Sequence, residues 1–230
     1  MGETKRQAWK LAAEINRRDL LRLGVAGLAG SAMVAPVSAT AAAGDPVIEF
    51  VRTSCGENTS LPRILVGYAS MCGSTGEVAA AIGKKLCEAG AKVDVKHLPD
   101  ITDLSGYQAF VIGSPIQVGN WINEANKFLL ANQNTLAKAP VAYFITCIAL
   151  SSDKEDSRKL AQNYVERPLR MAPKIKPVAL GSFAGKVDYA KMPKRYHGVM
   201  RRIVPEDVDA RKWDLIEKWG EELAGQLVKP

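Results

Sequence analysis

Much that would announce a familiar chemistry is missing from this chain of 230 residues. Its four cysteines, Cys55, Cys72, Cys87 and Cys147, form no C-x-x-C pair and have no zinc-finger spacing. That excludes a dithiol redox motif and a structural zinc site, and the positions predict no disulfide framework. No lysine follows a glycine where a Walker A loop needs one, and no G-x-G-x-x-G occurs, which excludes the two commonest nucleotide-binding loops. No apolar run is both long enough and poor enough in glycine to read as a membrane span. Repeats are absent, and no nucleic-acid motif accompanies the formal charge of +7, so no nucleic-acid partner is expected.

What is present begins with residues 1–43, which have the order of a targeting segment. "NRRDLLRLG" (Asn16 to Gly24) carries the paired arginines Arg17 and Arg18 ahead of Leu20 and Leu21. It resembles the twin-arginine export signal of bacteria. A glycine- and alanine-rich apolar stretch, Leu23 to Ala35, follows, and then small residues with A-x-A-like sites ending at Ala39 or Ala43. Cleavage after Ala43 would leave 187 residues with a net charge of +4. The expected destination is the periplasm or the outer face of the cytoplasmic membrane, with the twin-arginine machinery as a partner. Residues 44–62 read as a linker and N-terminal extension in which Val47 to Val51, "VIEFV", forms an extra strand. Residues 63–229 read as one domain.

The most informative stretch is "YASMCGSTGEVA", Tyr68 to Ala79. Arg63 to Tyr68 before it reads as a buried strand. From Thr75 the apolar spacing becomes helical, through Val78, Ile82, Leu86 and Ala89 to a stop at Gly90. The loop therefore joins the carboxyl end of a strand to the amino end of a helix. Orphan N–H groups and the positive end of the helix dipole converge there and suit a phosphate. Ser70, Ser74 and Thr75 add hydroxyls, and Gly73 lets the backbone come close. The plain alternative is an ordinary strand-to-helix turn capped by serine and threonine.

Strands and helices then alternate: strands at Lys92–Leu98, Ala109–Gly113, Pro140–Thr146 and Pro177–Phe183; helices at Ile122–Leu130, Ser152–Met171 and Asp209–Val228. Ser152 and Glu155 make a capping box, and Pro168 is expected to kink or end its helix. Trp213, Ile216, Gly220, Leu223 and Leu227 are expected on a core or partner face, and Cys87 is expected to be packing within the first helix. The pattern predicts an α/β fold with a doubly wound, five-stranded parallel sheet in the order 2-1-3-4-5. Ligands of such sheets bind at the carboxyl ends of the strands, where the order reverses. There "IGSPIQVGNWINEA" (Ile112 to Ala125) supplies Ser114, Pro115, Ile116, Gly119 and Trp121, a frame suited to a planar heterocycle. Trp121 has two readings, an aromatic face for that ring or a core anchor for the next helix. "TCIALSS", with Cys147, Ile148 and Ala149, makes a third wall.

The stretches "SMCGST", "VIGSPIQVGNW" and "AYFITCIAL" resemble the flavodoxin superfamily. "YAKMPKRYHGVMRRI" and "DARKWDLIEKWGEEL" resemble the C-terminal part of its flavodoxin-type protoporphyrinogen oxidase branch. The resemblance implies a flavodoxin-like fold and non-covalent FMN. The phosphate would lie in Ser70, Met71, Cys72, Gly73, Ser74 and Thr75, and the ring between Gly113–Trp121 and Thr146–Leu150. It also implies oxidation of a reduced small-molecule substrate, a porphyrinogen, with electrons leaving to a quinone or a redox protein. Electron carriers of the superfamily usually have a hydroxyl residue where Cys72 stands. The basic run from Lys186 to Arg202 would suit porphyrin propionates or an anionic membrane surface; the alternative is a solvated helix face. His197 in that run is expected at the surface, and no acid–base catalyst is assigned. Two further readings are an exported electron carrier, which the basic run disfavours, and a flavodoxin-like module without cofactor, which the intact Ser/Gly/Ser/Thr loop disfavours.

Overall fold

The computed structural model describes residues 44–56, 62–151 and 155–228, without the side chains of Asp156 and Arg158. The segment expected to be an export signal and the expected Ser152 cap lie outside these residues. The chain divides into two compact units, one comprising Ile48–Lys186 with Asp209 onward, the other Val187–Val208 with the described residues 44–47.

The larger unit is built on one sheet. Its strands are β1 (Thr53–Cys55), β2 (Arg63–Tyr68), β3 (Lys92–His97), β4 (Ala109–Gln117), β5 (Asn120–Trp121), β6 (Val141–Cys147) and β7 (Ala179–Ala184). The order is β1-β3-β2-β4-β6-β7, with β5 folded back on β4 as a hairpin. The neighbours from β3 through β7 all pair in parallel. In chain order these five are 2-1-3-4-5, as expected. Near-continuous apolar strands such as "AFVIG" and "VAYFIT" need cover on both faces, and the helices supply it. Ile64, Val66 and Val111 point toward α1 (Ser74–Glu88) and α5 (Trp213–Leu227), meeting Val78, Ile82 and Leu86 of the first and Ile216, Leu223 and Leu227 of the second. Leu65, Phe110, Ile112 and Tyr143 point the other way, toward α2 (Asn123–Leu136) and α3 (Glu155–Met171). Each such fully buried side chain contributes roughly 1.5–3 kcal/mol by leaving water.

Four expectations change. Val47 to Val51 forms no strand; the extra strand is Thr53–Cys55, which pairs antiparallel with β3, Cys55 opposite Val93. Residues 48–51 act through side chains instead. Phe50 stacks on His97 at 3.8 Å between ring centroids, and the Val51 carbonyl accepts from the Tyr68 hydroxyl at 2.9 Å. Second, Cys87 is not a packing thiol: Cys55 and Cys87 form a disulfide that ties β1 to the last turn of α1. Third, α3 runs through Pro168 to Met171, and the Pro168 carbonyl still accepts from Ala172 N–H. Fourth, α5 starts at Trp213 rather than Asp209, and Trp213 is 38% exposed, its ring lying against the Arg211 guanidinium at 4.5 Å.

One ionic cluster locks the β1 edge of the sheet. Asp94 on β3 is buried. It accepts from Ser54 Oγ at 2.6 Å, from Arg63 Nη2 at 2.7 Å and from Tyr107 Oη at 2.7 Å. Burial raises its pKa, but the three donors outweigh that and the net direction is down. A carboxylate with a lowered folded pKa stabilises fully above its unfolded value of about 3.9, and the contribution is lost as pH falls through the folded value. Asp94→Asn is therefore expected to cost roughly 1.5–3 kcal/mol at neutral pH, the range for hydrogen bonds to a charged group. It is also expected to flatten the acid limb of stability; urea melts at neutral pH and below the carboxylate range measure both.

In the smaller unit the principal element is α4 (Lys194–Ile203), which follows β8 (Lys186–Val187). The short ribbon of β8 with β9 (Val208–Asp209) carries the chain across the boundary. α4 exposes Lys194, Arg195, Arg201 and Arg202, so the second part of the basic run is an exposed helix face, in which Arg195 pairs with Asp45 and Arg201 lies over the Tyr189 ring at 4.4 Å. His197 is half-buried: a ring nitrogen lies 2.9 Å from the Met192 carbonyl, and the ring stands edge-on to Tyr189 at 5.1 Å.

Candidate functional site

Three loops leave the carboxyl ends of β2, β4 and β6, which are adjacent in the sheet. Parallel pairing therefore brings 69–75, 113–121 and 146–150 to one edge, and hydrogen bonds join them. Ala69 N–H donates to the Gly113 carbonyl at 2.9 Å, linking the first loop to the second. Thr75 Oγ1 and Thr146 Oγ1 share a hydrogen bond of 3.0 Å, linking the first to the third.

The first loop has the form of an anion cradle. Ser70 is buried and its Oγ accepts from Gly73 N–H at 2.9 Å, which folds the loop back toward the helix. Gly73 takes the N-cap position of α1 at φ 86°, a left-handed conformation that costs other residues about 1 kcal/mol or more. A glycine cap brings no side chain to the first-turn N–H groups, and α1 has no side-chain cap. Gly76 N–H is taken by the Gly73 carbonyl at 2.9 Å, and the donors ahead of it lie at the positive end of the dipole. Met71, Cys72 and Ser74 are half-exposed there, whereas Thr75 is 1% exposed and anchored to Thr146.

The second loop is the β4–β5 hairpin. Ser114 is fully buried; its hydroxyl donates to the Pro115 carbonyl at 2.9 Å and accepts from Ile122 N–H at 3.2 Å, so it braces the hairpin from inside. Pro115 and Ile116 are half-exposed, and Val118 (φ 50°) and Gly119 (φ 73°) form the tip. Trp121 is 2% exposed and edge-on to Tyr143 at 5.3 Å, so of its two readings the structure carries the core anchor: the hairpin turns it inward under α2. In the third loop Cys147 is buried, which pushes its thiol pKa up, and Ile148 and Ala149 begin a half-exposed 3₁₀ turn.

The sequence reading did not place Arg211 at this edge. Its side chain is 4% exposed. It donates to Glu77 in the first turn of α1 at 2.8 Å, to Asp209 at 2.6 Å and 2.8 Å, and to the Ser74 carbonyl at 3.3 Å. Burial works against its charge, but the bonds to Asp209 and Glu77 prevail and hold its pKa above the ordinary value; Asp209 is lowered first by Arg211. The signal was the Asp209-x-Arg211 pair, whose destination in space spacing alone does not give.

A cradle of helix N–H groups and hydroxyls beside two flanking loops is the arrangement of an FMN site. The sequence profile of the flavodoxin domain matches residues 65–212. The chain belongs to the flavodoxin-domain family. Among solved structures of similar fold is oxidised flavodoxin 2 from Bacillus cereus, at 19% identity and TM-score 0.46, covering 71% of this chain and 99% of that one. Another is a flavoprotein in complex with FMN from Lactobacillus acidophilus NCFM, at 16% identity and TM-score 0.41, covering 53% of this chain and 93% of that one. A third is the metal-soaked Flv1 flavodiiron core from Synechocystis sp. PCC6803, at 16% identity and TM-score 0.44; it covers 72% of this chain, which spans only 36% of that protein. No curated protein matches the sequence. Among the described residues no cluster of His, Cys, Asp and Glu could hold a metal ion.

The cofactor of this domain is FMN, and the residues present fit it: uncapped first-turn N–H groups behind Gly73 for the phosphate, and half-exposed apolar walls at Pro115, Ile116, Ile148 and Ala149 for the ring.

Proposed function

We propose that this flavodoxin-domain protein is an exported FMN-dependent oxidoreductase of the protoporphyrinogen oxidase type. It would take electrons from a reduced small molecule, a porphyrinogen, and pass them to a quinone-type acceptor. When bound, FMN supplies the redox chemistry, accepting a hydride or its equivalent at its ring. The chain's own part is to bind and orient: the 70–75 loop would hold the phosphate, while the β4–β5 hairpin and the 148–150 turn would flank the ring. No side chain of the site is assigned a proton.

The observation that carries the substrate reading is α4, a helix with four exposed basic residues set in a unit of its own. Its cations suit the propionates of a porphyrinogen, or the anionic surface of a membrane that holds quinone. The export reading is supported by the Cys55–Cys87 disulfide, since such bonds persist in oxidising compartments.

The test is a visible spectrum of the purified protein before and after anaerobic addition of protoporphyrinogen IX. Bleaching of the flavin bands, with recovery on adding a soluble quinone, is the expected result. Bands that persist with the porphyrinogen while a quinone reoxidises chemically reduced protein would move the assignment to quinone reduction or electron transfer.

A further inference from the structure

The first turn of α1 carries a charge that conflicts with a phosphate site. Glu77 stands three residues after the Ser74 that opens the helix. A carboxylate there complements the helix dipole, but it also competes for the same positive end that should receive the phosphate. Left unpaired, it would repel a dianion at the loop mouth. Arg211 answers this conflict. Its guanidinium reaches Glu77 at 2.8 Å and the Ser74 carbonyl at 3.3 Å, from a position that is nearly closed to solvent. Asp209 grips the other side of the fork with two bonds, and the Trp213 ring lies against its plane. An arginine held by a carboxylate on one side and an aromatic face on another is fixed in orientation.

We infer that Arg211 is a positioning residue for the FMN phosphate, pairing with Glu77 to offset its charge and holding the Ser74 turn of the loop so that the first-turn N–H groups serve the anion. The inference rests on the FMN site described above. It makes cofactor retention depend on the segment after β9, 137 residues from Ser74 of the loop in sequence. Lysine in its place would keep the charge but lose the fork.

The experiment is a pair of titrations of flavin-free protein, with FMN and with riboflavin, which lacks the phosphate. Arg211→Gln is expected to weaken FMN about tenfold or more, as loss of hydrogen bonds to charged groups implies, while riboflavin changes little. Adding Glu77→Gln to that variant should restore most of the FMN affinity, and Arg211→Lys should keep much of the preference for FMN. Glu77→Gln alone keeps the loop contacts and should hold FMN as well as the parent or better, which tests the charge argument even if Arg211→Gln does not fold. The inference is overturned if FMN and riboflavin weaken together, if Glu77→Gln rescues nothing, or if Glu77→Gln alone loosens FMN. A parent protein that binds neither flavin overturns the FMN site itself, and a parent that binds both with no preference overturns the phosphate assignment.

Discussion

Gly73→Asp is expected to leave a folded protein that retains no FMN. Two effects act together. Gly73 sits at φ 86°, so any side chain there brings backbone strain of roughly 1–2 kcal/mol. Asp tolerates that region better than most residues, which is why it suits the test: the fold should survive. Its carboxylate would accept from the first-turn N–H groups of α1 as an N-cap, filling the position meant for the phosphate with a charge of the same sign. A Cβ at this position meets Ile48 Cγ2 at 3.4 Å, a close contact that a neighbouring side chain can relieve by shifting a few tenths of an ångström. Flavin content per folded chain, with far-UV circular dichroism as the folding control, measures the effect. A folded variant that keeps its flavin would remove the 70–75 loop from the site.

The second large effect concerns the staple at the edge of the sheet. Cys55→Ser with Cys87→Ser opens a covalent loop between positions 32 apart in sequence. In the chain-entropy account a loop of this length is worth about 3–4 kcal/mol. For a domain of this size that corresponds to a fall in Tm of roughly 10 °C. The loss should fall on β1, a three-residue strand held to the sheet by only one neighbour. Hydrogen exchange should accordingly show β1 and the last turn of α1 opening well before the central strands, and Tm should drop likewise when the native protein is treated with a thiol reductant. A variant that melts with the parent, and a parent indifferent to reductant, would contradict a structural disulfide. Mass spectrometry of protein alkylated directly from the export compartment would meanwhile test the proposed destination, with Cys55 and Cys87 unlabelled if the proposal holds.

The disulfide also marks where sequence reasoning stopped. Neither cysteine has a spacing that implies a partner, and Cys55 lay in a stretch that read as a linker. Its pairing is a consequence of the antiparallel ladder that sets Cys55 opposite Val93, close to the end of α1. The five parallel strands, by contrast, were legible because strands buried on both faces must be apolar nearly throughout, and helices between them must switch to a period near 3.6. Once those strands are placed, topology alone puts 70–75, 113–121 and 146–150 on one edge, so the meeting of the three segments was readable too. Finer detail was not. "VIEFV" is rich in β-branched and aromatic residues, as a strand would be, yet Phe50 is taken up by His97 and Tyr68 holds the Val51 carbonyl, and residues 47–51 stay outside the ladder. Trp213 falls on the helical spacing of the core positions of α5, but it opens the helix, is 38% exposed and has the Arg211 guanidinium over its ring. Trp121 had two readings because a tryptophan at a hairpin suits either; the backbone of β5 decided between them.

The most direct test of the FMN site is the flavin content of the purified protein. One FMN per folded chain is expected, released on denaturation and identified as the phosphorylated flavin, or bound in that ratio when FMN is added back. A folded protein that carries no flavin and takes up no added FMN would contradict it.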